Sequence, residues 1–423
     1  MYQDFKKIQI LLILGVVIFY TDVSSTIAFA SDGLTDFECQ RRTALPCVEV
    51  QYGPFSGIFG VDTGASLSAA YGSSRFQDIP ATGWEFKQLD MQFAVGSATV
   101  SMIENISVSA FGADALETRL VIVEQPERSP LNAGIEGILG LRELRQMKLQ
   151  INGVKPSVTR LDSAWRPNEF ALNVPLTRRG ERDVAVPIRV LDGNQSICVD
   201  TGCRSFMLLS SAMVKFFEQI GKAAPANKVT FATAVDIREV QMYIVKSVTI
   251  AGCEFRDVPA FESSVNAIGM GCFSHFDMVL DFPKNEMWLT PLSDDWPKRV
   301  PPDASGLVLG FLDTNVLSLL RIQPDSAASK SDLKIDDQIL LFDGKEPKDL
   351  SMYEIHQRQT QAGTILPLRI RRGDQEMDIR LPLGYSFEYP PKWSNDKNVL
   401  DEFGEFLEKD ESPAELKPAV PER

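Results

Sequence analysis

Most of the chain consists of short apolar runs that alternate with polar positions or end at turn residues. Residues 48–52 alternate apolar and polar side chains, which is the two-residue period of a half-buried strand. Residues 92–100 hold two strand-like runs on either side of Gly96-Ser97, a pattern typical of a hairpin tip. Helical patterns are fewer and shorter, as at residues 351–359. The pattern therefore predicts a mainly β protein.

Two of the strand-like runs end in the same tripeptide. Residues 58–61 lead into Asp62-Thr63-Gly64, and residues 196–199 lead into Asp200-Thr201-Gly202. A strand that ends in this way delivers a carboxylate to the floor of a cleft. The Thr hydroxyl can hold the loop, and Gly lets the backbone turn where a Cβ would clash.

The two tripeptides lie in a repeated context. The offset of 138 residues between Asp62 and Asp200 also carries Phe93-Ala94 onto Phe231-Ala232. Residues 137–141 are echoed by residues 266–270, and each copy continues into a short helix-like piece and a strand. A fixed period of this kind indicates an internal duplication.

This arrangement resembles the retropepsin-type unit of aspartic proteases, and two units in one chain resemble the two lobes of a pepsin-type enzyme. The resemblance covers about residues 45–292. It implies a bilobal β-barrel fold made of two duplicated lobes, and an endopeptidase that cleaves a protein or peptide substrate without a cofactor or metal. Because two carboxylates in contact cannot both ionise, one is expected to keep a proton while the other activates water. The implied catalytic pair is Asp62 and Asp200, with a supporting loop of Thr63, Gly64, Ser66, Thr201, Gly202 and Ser205, and a flap containing Phe93, Gly96 and Ser97.

The second tripeptide departs from the pattern four residues after its aspartate. Arg204 stands where the first copy has Ser66, and Ser205 follows it. One interpretation places the Arg204 cation beside Asp200, where it would hold that carboxylate ionised and weaken the shared proton. The other points Arg204 to solvent and gives the hydroxyl role to Ser205.

Residues 304–383 resemble a PDZ domain, a small α+β unit. The resemblance rests on Gly306–Phe311 as the carboxylate-binding loop, on Ile322–Ala328 as a turn, and on Leu333–Leu340 followed by Asp343-Gly344. Asp336 occupies the place of the usual Gly. The resemblance implies that Leu307, Val308, Leu309 and Gly310 bind the C-terminal peptide of a ligand. The alternative is a β-rich domain with a closed groove and no ligand.

The chain ends and cysteines indicate export. Residues 1–30 resemble a cleavable signal peptide, because they contain two early lysines, a 13-residue apolar run and Ala28-Phe29-Ala30. The alternative is an uncleaved membrane anchor. An even number of cysteines suggests disulfides in an exported chain, and Cys39 with Cys47 is the natural local pair. The predicted organisation is a signal peptide at 1–30, lobe 1 at 31–170, lobe 2 at 171–297, the PDZ-like unit at 304–383 and an acidic, disordered tail at 384–423. We expect a periplasmic or extracellular protein of a bacterial envelope.

Charge and composition exclude other functions. The net charge of −14 and the lack of a basic run disfavour nucleic acid as a partner. The two histidines, His275 and His356, have no nucleophile–base context. Both copies of the tripeptide lie in one chain, joined by a connector at 154–185, so we expect a monomer. The rival function is a non-catalytic peptide-binding protein of the cell envelope that has lost turnover through Arg204.

Overall fold

The computed structural model describes residues 10–11, 36–72, 85–94, 97–123, 135–155, 157–179, 183–190, 193–232, 237–311 and 316–393. The predicted signal peptide therefore lies outside the described residues, apart from the two-residue strand β1 (Ile10–Leu11), as does Gly96 of the predicted flap. Among the described residues, 53% lie in strands and 13% in helices, which confirms a mainly β protein. None of the described helices has the length and apolar character needed to span a membrane.

Lobe 1 is an eight-stranded sheet with a short helix near its N-terminal end. The alternation at residues 48–52 is confirmed, because Val48, Val50 and Tyr52 are buried while the two residues between them are exposed. The sheet order is β1-β5-β6-β2-β3-β8-β4-β7, and β6 also pairs with β7. The elements are α1 (Asp36–Thr43), β2 (Cys47–Tyr52), β3 (Phe55–Val61), β4 (Ser68–Tyr71), β5 (Glu85–Gln92), β6 (Ser97–Ala110), β7 (Leu116–Val123), β8 (Gly137–Leu139) and α2 (Leu141–Leu144), and the chain continues through β9 (Lys148–Ile151), β10 (Val158–Arg160) and β11 (Leu172–Pro175).

Seven strands of lobe 2 repeat the pairings of the seven strands β2–β8 of lobe 1, whereas the first strand of lobe 2 does not pair as β1 does. Its sheet order is β12-β13-β14-β19-β15-β18-β17-β16, with β13 also pairing with β17. In both lobes the strand that ends at the Asp pairs in parallel with the short strand before the second short helix. The sequence period of 138 residues is therefore a structural duplication. The elements are β12 (Thr177–Arg179), β13 (Asp183–Val190), β14 (Gly193–Asp200), β15 (Met207–Ser210), α3 (Ser211–Gln219), β16 (Ala223–Ala232), β17 (Ile237–Ile250), β18 (Cys253–Ser263), β19 (Ala267–Gly269) and α4 (Met270–Phe273).

A five-stranded sheet joins the two lobes. Strands β20 (Phe276–Asp281) and β21 (Glu286–Pro291) follow lobe 2, and the sheet order is β10-β9-β20-β21-β11. The predicted boundary at residues 170/171 therefore falls inside a shared sheet rather than between separate lobes. The half-buried Lys148 ammonium lies 3.0 Å from the buried Asp281 carboxylate on the neighbouring strand of this sheet. A short strand, β22 (Lys298–Arg299), then pairs with β18.

Residues 304–383 form a separate five-stranded sheet with one helix, here called the C-terminal unit. Its predicted helix begins one residue later than expected, because Ser351 is the N-cap and forms a capping box with Glu354. Asp336 has a φ of +76°, so it adopts the left-handed conformation for which Gly is usual. The strands occur in sheet order, and the elements are β23 (Leu307–Phe311), β24 (Leu317–Ile322), β25 (Gln338–Phe342), α5 (Met352–Gln359), β26 (Ile365–Arg372) and β27 (Gln375–Pro382).

The segment after the C-terminal unit packs back onto lobe 2. The Tyr389 hydroxyl donates hydrogen bonds to the carbonyls of Asp257 and Val300, and the Trp393 indole donates to the Asp257 carboxylate. The prediction of disorder from residue 384 is therefore wrong for residues 384–393. Their aromatic side chains pack against other parts of the protein, which charged side chains alone would not do. Residues 394–423 lie outside the described part of the chain.

A disulfide attaches the N-terminal helix to lobe 1, while the same helix contacts the C-terminal unit. The predicted Cys39–Cys47 bond is present. The Arg41 guanidinium donates to the carbonyls of Pro347 and Leu350 and lies over the Phe311 ring. The four cysteines of lobe 2 are buried free thiols, so no disulfide forms there.

Candidate active site

The two aspartates lie at equivalent ends of the central strands of the two lobes. Val61 is in register with Leu139 on β8, and the Asp62 amide donates to the Leu139 carbonyl at 3.0 Å. Asp200 is in register with Gly269 on β19. Both aspartates are fully buried. The duplicated strands therefore bring the two predicted catalytic residues, 138 positions apart in sequence, to one point.

Thr63 and Thr201 bind each other's loops in a reciprocal arrangement. The Thr63 hydroxyl donates to the Val199 carbonyl at 2.6 Å and accepts from the Thr201 amide at 3.1 Å. The Thr201 hydroxyl donates to the Val61 carbonyl at 2.7 Å and accepts from the Thr63 amide at 3.1 Å. Both side chains are buried, and four hydrogen bonds therefore hold the two loops together across the lobe interface.

The glycine of each loop lies against the carboxylate of the other. A Cβ placed on Gly64 would lie 2.6 Å from the Asp200 Cγ and 2.8 Å from each of its oxygens. A Cβ on Gly202 would lie 2.7 Å from the Asp62 Oδ1. The close approach of the two loops therefore requires glycine at both positions.

Burial and mutual proximity shift the protonation of the pair. Burial raises the pKa of Asp62 to about 7, although the amides of Gly64 and Ala65 donate to its Oδ1 at 2.8 and 3.0 Å and favour its charged form. Burial, followed by the charge of Asp62, raises the pKa of Asp200 well above its usual value. The two carboxyl groups titrate as one coupled unit, and the raised pKa values keep at least one proton on the pair at neutral pH.

A hydrogen-bonded support under the first loop was not anticipated from the sequence. The Ser68 hydroxyl donates to the buried Glu143 carboxylate and accepts from the Gly140 amide at 2.8 Å. Thr118 donates to the other Glu143 oxygen at 2.7 Å. Tyr71 is also buried near Asp62, and its burial, followed by the Asp62 charge, raises the pKa of its phenol. The sequence around Glu143 gives no indication of these hydrogen bonds, because Ser68 and Thr118 are distant from it in sequence and only the fold brings them together.

The supporting serines differ between the two loops. Ser66 is buried in the first loop, as expected of a supporting residue. In the second loop, hydrogen bonding from the Ser205 backbone and hydroxyl acts on the Cys203 thiol. Ser205 is therefore engaged with Cys203, and the prediction that it replaces Ser66 beside Asp200 finds no support in this contact.

Arg204 takes neither of the two predicted positions. Arg204 is half-buried and lines a pocket between lobe 2 and the C-terminal unit, so the prediction that it points to solvent is not supported. Burial, followed by the charge of Arg204, lowers the pKa of His356 on α5, so the two residues lie near each other in this pocket. The raised pKa of Asp200 is caused by burial and Asp62, so Arg204 does not hold Asp200 ionised.

The predicted flap reaches across to lobe 2. Phe93 and Ala94, at the end of the β5 strand, are buried, and Ser97 begins β6. The Ser264 amide donates to the Ala94 carbonyl at 3.0 Å, and the Ser264 hydroxyl donates to the Phe93 carbonyl at 3.0 Å. The Ser263 hydroxyl also donates to the Ala94 carbonyl, at 2.8 Å. The Phe93–Ala94 segment at the base of the predicted flap is therefore hydrogen-bonded to lobe 2.

The residues predicted to bind a C-terminal peptide form a strand instead of a loop. Leu307–Gly310 belong to β23, where Leu307, Val308 and Leu309 are buried. The loop lies just before them, where Asp303 accepts hydrogen bonds from the Ser305 amide and hydroxyl and from the Gly306 amide. The side-chain amide of Gln359, on α5, donates to the Leu307 carbonyl.

The part of the chain that the structure describes contains no cluster of three or more metal-binding side chains. In the comparisons with known proteins, no family model and no curated protein matches this chain. The function therefore has to be argued from the geometry of the site.

Proposed function

We propose that this protein is an aspartic-type endopeptidase that hydrolyses peptide bonds with water activated between Asp62 and Asp200. The observation that carries the proposal is the symmetric junction of the two loops. Each glycine contacts the opposite carboxylate, and each threonine binds the opposite loop. Burying two carboxyl groups against each other is costly, because like charges repel and lose their contact with water. Such pairs occur mainly at functional sites, where the shared proton takes part in the chemistry.

The chemistry follows from the unequal surroundings of the two carboxyl groups. Asp62 is the base that takes a proton from water, because the Gly64 and Ala65 amides stabilise its charge. Asp200 carries the shared proton and donates a hydrogen bond to the scissile carbonyl. As water attacks, that proton moves toward the carbonyl oxygen and the new tetrahedral centre forms between the two groups.

Substrate access requires the flap to open. Both carboxylates are fully buried, and Ser263 and Ser264 hold the Phe93–Ala94 segment, at the base of the predicted flap, against lobe 2. These hydrogen bonds are few and partly exposed to solvent, so their loss is a small cost compared with the binding of an extended peptide. We therefore expect opening of the flap to precede each turnover.

The rival function is a non-catalytic peptide-binding protein, and the complete burial of both carboxylates favours it. The experiment that separates the two uses the mature protein with unfolded casein across pH 4–8, with and without an active-site inhibitor of aspartic proteases. Cleavage that the inhibitor blocks, and that Asp62→Asn and Asp200→Asn each abolish, supports the peptidase. Full cleavage by Asp200→Asn, or no cleavage by the wild-type chain at any pH, contradicts it.

The C-terminal unit is proposed to be PDZ-like and to hold a peptide substrate or partner near the catalytic lobes. Support comes from the open edge of its sheet at β23, from α5 beside that edge, and from the bond between Gln359 and Leu307. Together with the disulfide at Cys39–Cys47, the N-terminal pattern leads us to propose an exported monomer of the periplasm or extracellular space.

A further inference from the structure

Three buried polar side chains meet beneath the loop that carries Asp62. They come from β4, β7 and α2, and they are here called the polar triad: Ser68, Thr118 and Glu143. The two hydroxyls each donate a hydrogen bond to one oxygen of the Glu143 carboxylate. Taking a carboxyl group out of water is costly, and burial raises the pKa of Glu143. The triad therefore needs a reason beyond packing.

The duplicated lobe shows that the fold does not require these polar groups. The strand registers, and the two glycines that precede the short helices α2 and α4, identify the corresponding positions of lobe 2. Those positions carry fully buried side chains without a carboxylate or hydroxyl: Met207 for Ser68, Val258 for Thr118 and Cys272 for Glu143. The same local architecture is therefore built with an apolar interior in lobe 2, and the triad belongs to lobe 1.

A continuous path of hydrogen bonds joins the triad to the Asp62 carboxylate. The Ser68 hydroxyl accepts from the Gly140 amide at 2.8 Å, which holds the start of α2. The next amide, that of Leu141, donates to the Ala65 carbonyl at 2.7 Å. The Ala65 amide in turn donates to Asp62 Oδ1 at 3.0 Å. In lobe 2 the amide of the glycine before α4 donates to a backbone carbonyl instead of a side chain.

The two aspartates differ in their hydrogen bonds to the amides of their own loops. Asp62 Oδ1 accepts from the amides of Gly64 and Ala65 at 2.8 and 3.0 Å. The equivalent amides of the second loop also favour the charged form of Asp200. Within the described part of the chain, however, neither Asp200 oxygen has a hydrogen-bond partner of normal geometry. The loop that the triad supports is therefore the loop whose amides are directed at its carboxylate.

We propose that Glu143 is a positioning residue, which acts through Ser68 and the start of α2 on the loop of Asp62. The triad fixes this loop so that its two amides remain directed at the Asp62 carboxylate. Hydrogen bonds to the charged form of a carboxyl group favour that form, so this arrangement selects Asp62, rather than Asp200, as the base. The inference rests on the proposed function, because it assigns a role within the same site.

The direction of a change in the pKa of Asp62 separates positioning from a simple charge effect. In the described residues, the titratable groups that act on or respond to Asp62 are a carboxyl group, a phenol and two thiols: Asp200, Tyr71, Cys198 and Cys203. Burial raises the pKa of the phenol and of both thiols, so these three keep their protons. The exposed Arg142 is the cation that acts on Glu143. Loss of the Glu143 charge alone would lower the pKa of Asp62, whereas loss of the loop amides would raise it.

The test measures kcat and KM for a short internally quenched peptide across pH 3–8. Ser68→Ala removes the hydroxyl that links Glu143 to the Gly140 amide, and Glu143→Gln keeps the size of the side chain but removes the carboxylate. Both variants should move the acid limb of kcat/KM to higher pH by about one unit, the effect of weakening one charge-assisted hydrogen bond. We expect kcat to fall several-fold while KM stays unchanged. Cys272→Ala, at the matched position of lobe 2, should leave the acid limb in place.

A second readout needs no activity. Urea unfolding across pH 4–8 is compared between chains with and without Asp62→Asn, so that the difference reports the Asp62 proton and cancels the titration of Glu143 itself. A raised pKa in the folded protein makes stability fall as pH rises through that pKa, so Glu143→Gln should extend the Asp62-dependent fall by about one unit toward higher pH. Thr118→Val, which removes the other donor to Glu143, replaces either variant that fails to fold.

The proposal is overturned if the acid limb stays in place or moves to lower pH in these variants, or if Cys272→Ala moves it equally. An Asp62-dependent fall that Glu143→Gln leaves unchanged overturns it as well. A wild-type chain that cleaves no peptide at any pH contradicts the peptidase, while the unfolding comparison still decides for or against Glu143. The two failures are therefore distinguishable.

Discussion

A single methyl group at Gly64 should disable the dyad without unfolding the lobes. The Cβ of Gly64→Ala would lie 2.6 Å from the Asp200 Cγ, whereas ordinary contacts begin at 3.4 Å. One of the two loops must therefore move by about 0.8 Å. Misplacement of catalytic groups by about 1 Å costs roughly a hundredfold in rate, so we expect kcat/KM to fall by about that factor.

Gly60→Ala is the matched control on the strand that leads to the same loop. A Cβ on Gly60 would meet its nearest neighbours, Ile135 and Ile138, at 3.7 and 4.0 Å, which is ordinary contact. Its φ is not in the left-handed region, so alanine fits there. We expect near wild-type activity, with the free energy of unfolding raised by up to about 1 kcal/mol through the less flexible unfolded chain.

The assay is cleavage of a short internally quenched peptide by each variant, followed across a range of substrate concentrations. Circular dichroism and thermal unfolding report whether the fold is kept. The reasoning is refuted if Gly64→Ala retains wild-type kcat/KM, because the carboxylate would then not need the close approach of the loop. Equal loss in Gly60→Ala would also refute it, since the effect would then be general to the strand.

Three further outcomes are expected. Thr201→Val leaves the Thr63 amide and the Val61 carbonyl buried without these hydrogen-bond partners, so the free energy of unfolding measured in urea should fall by about 1–3 kcal/mol for each group. Thr201→Ser keeps both hydrogen bonds and should keep most of that free energy. Both dyad carboxyls have raised pKa values in the folded protein, so their contribution to stability is complete below pH 4, and the part from Asp62 is lost as pH rises from about 4 through 7. A chain carrying both Asp→Asn changes should lack this slope in thermal unfolding across pH 3–8. Specific activity should not depend on enzyme concentration, because both aspartates of the proposed site come from the same chain. For the same reason a mixture of Asp62→Asn and Asp200→Asn chains should stay inactive, and recovery of activity on mixing would contradict this.

The local features of this protein could be predicted from sequence alone. Alternating side chains at residues 48–52 reflect burial of one sheet face, so the strand is encoded by the pattern itself. The capping box at Ser351 and Glu354 is encoded in four residues. The duplication is also visible in sequence, because two copies that fold alike keep residues such as Phe93 and Phe231 at equivalent positions. The pairing of Cys39 with Cys47 follows from their short separation.

The contacts between distant segments were decided only by the tertiary structure. The direction of Arg204 could not be predicted, because a residue after a tight loop can point toward either side, and the choice depends on the C-terminal unit that packs there. The Glu143 support and the hydrogen bonds between Ser264 and Phe93 likewise join residues 75 and 171 positions apart in sequence. The order of residues 384–393 depends on a surface that lobe 2 offers to Tyr389 and Trp393. Local periodicity encodes which face of an element is buried, but it carries no information about which partner buries it, and the chemistry of this site depends on those partners.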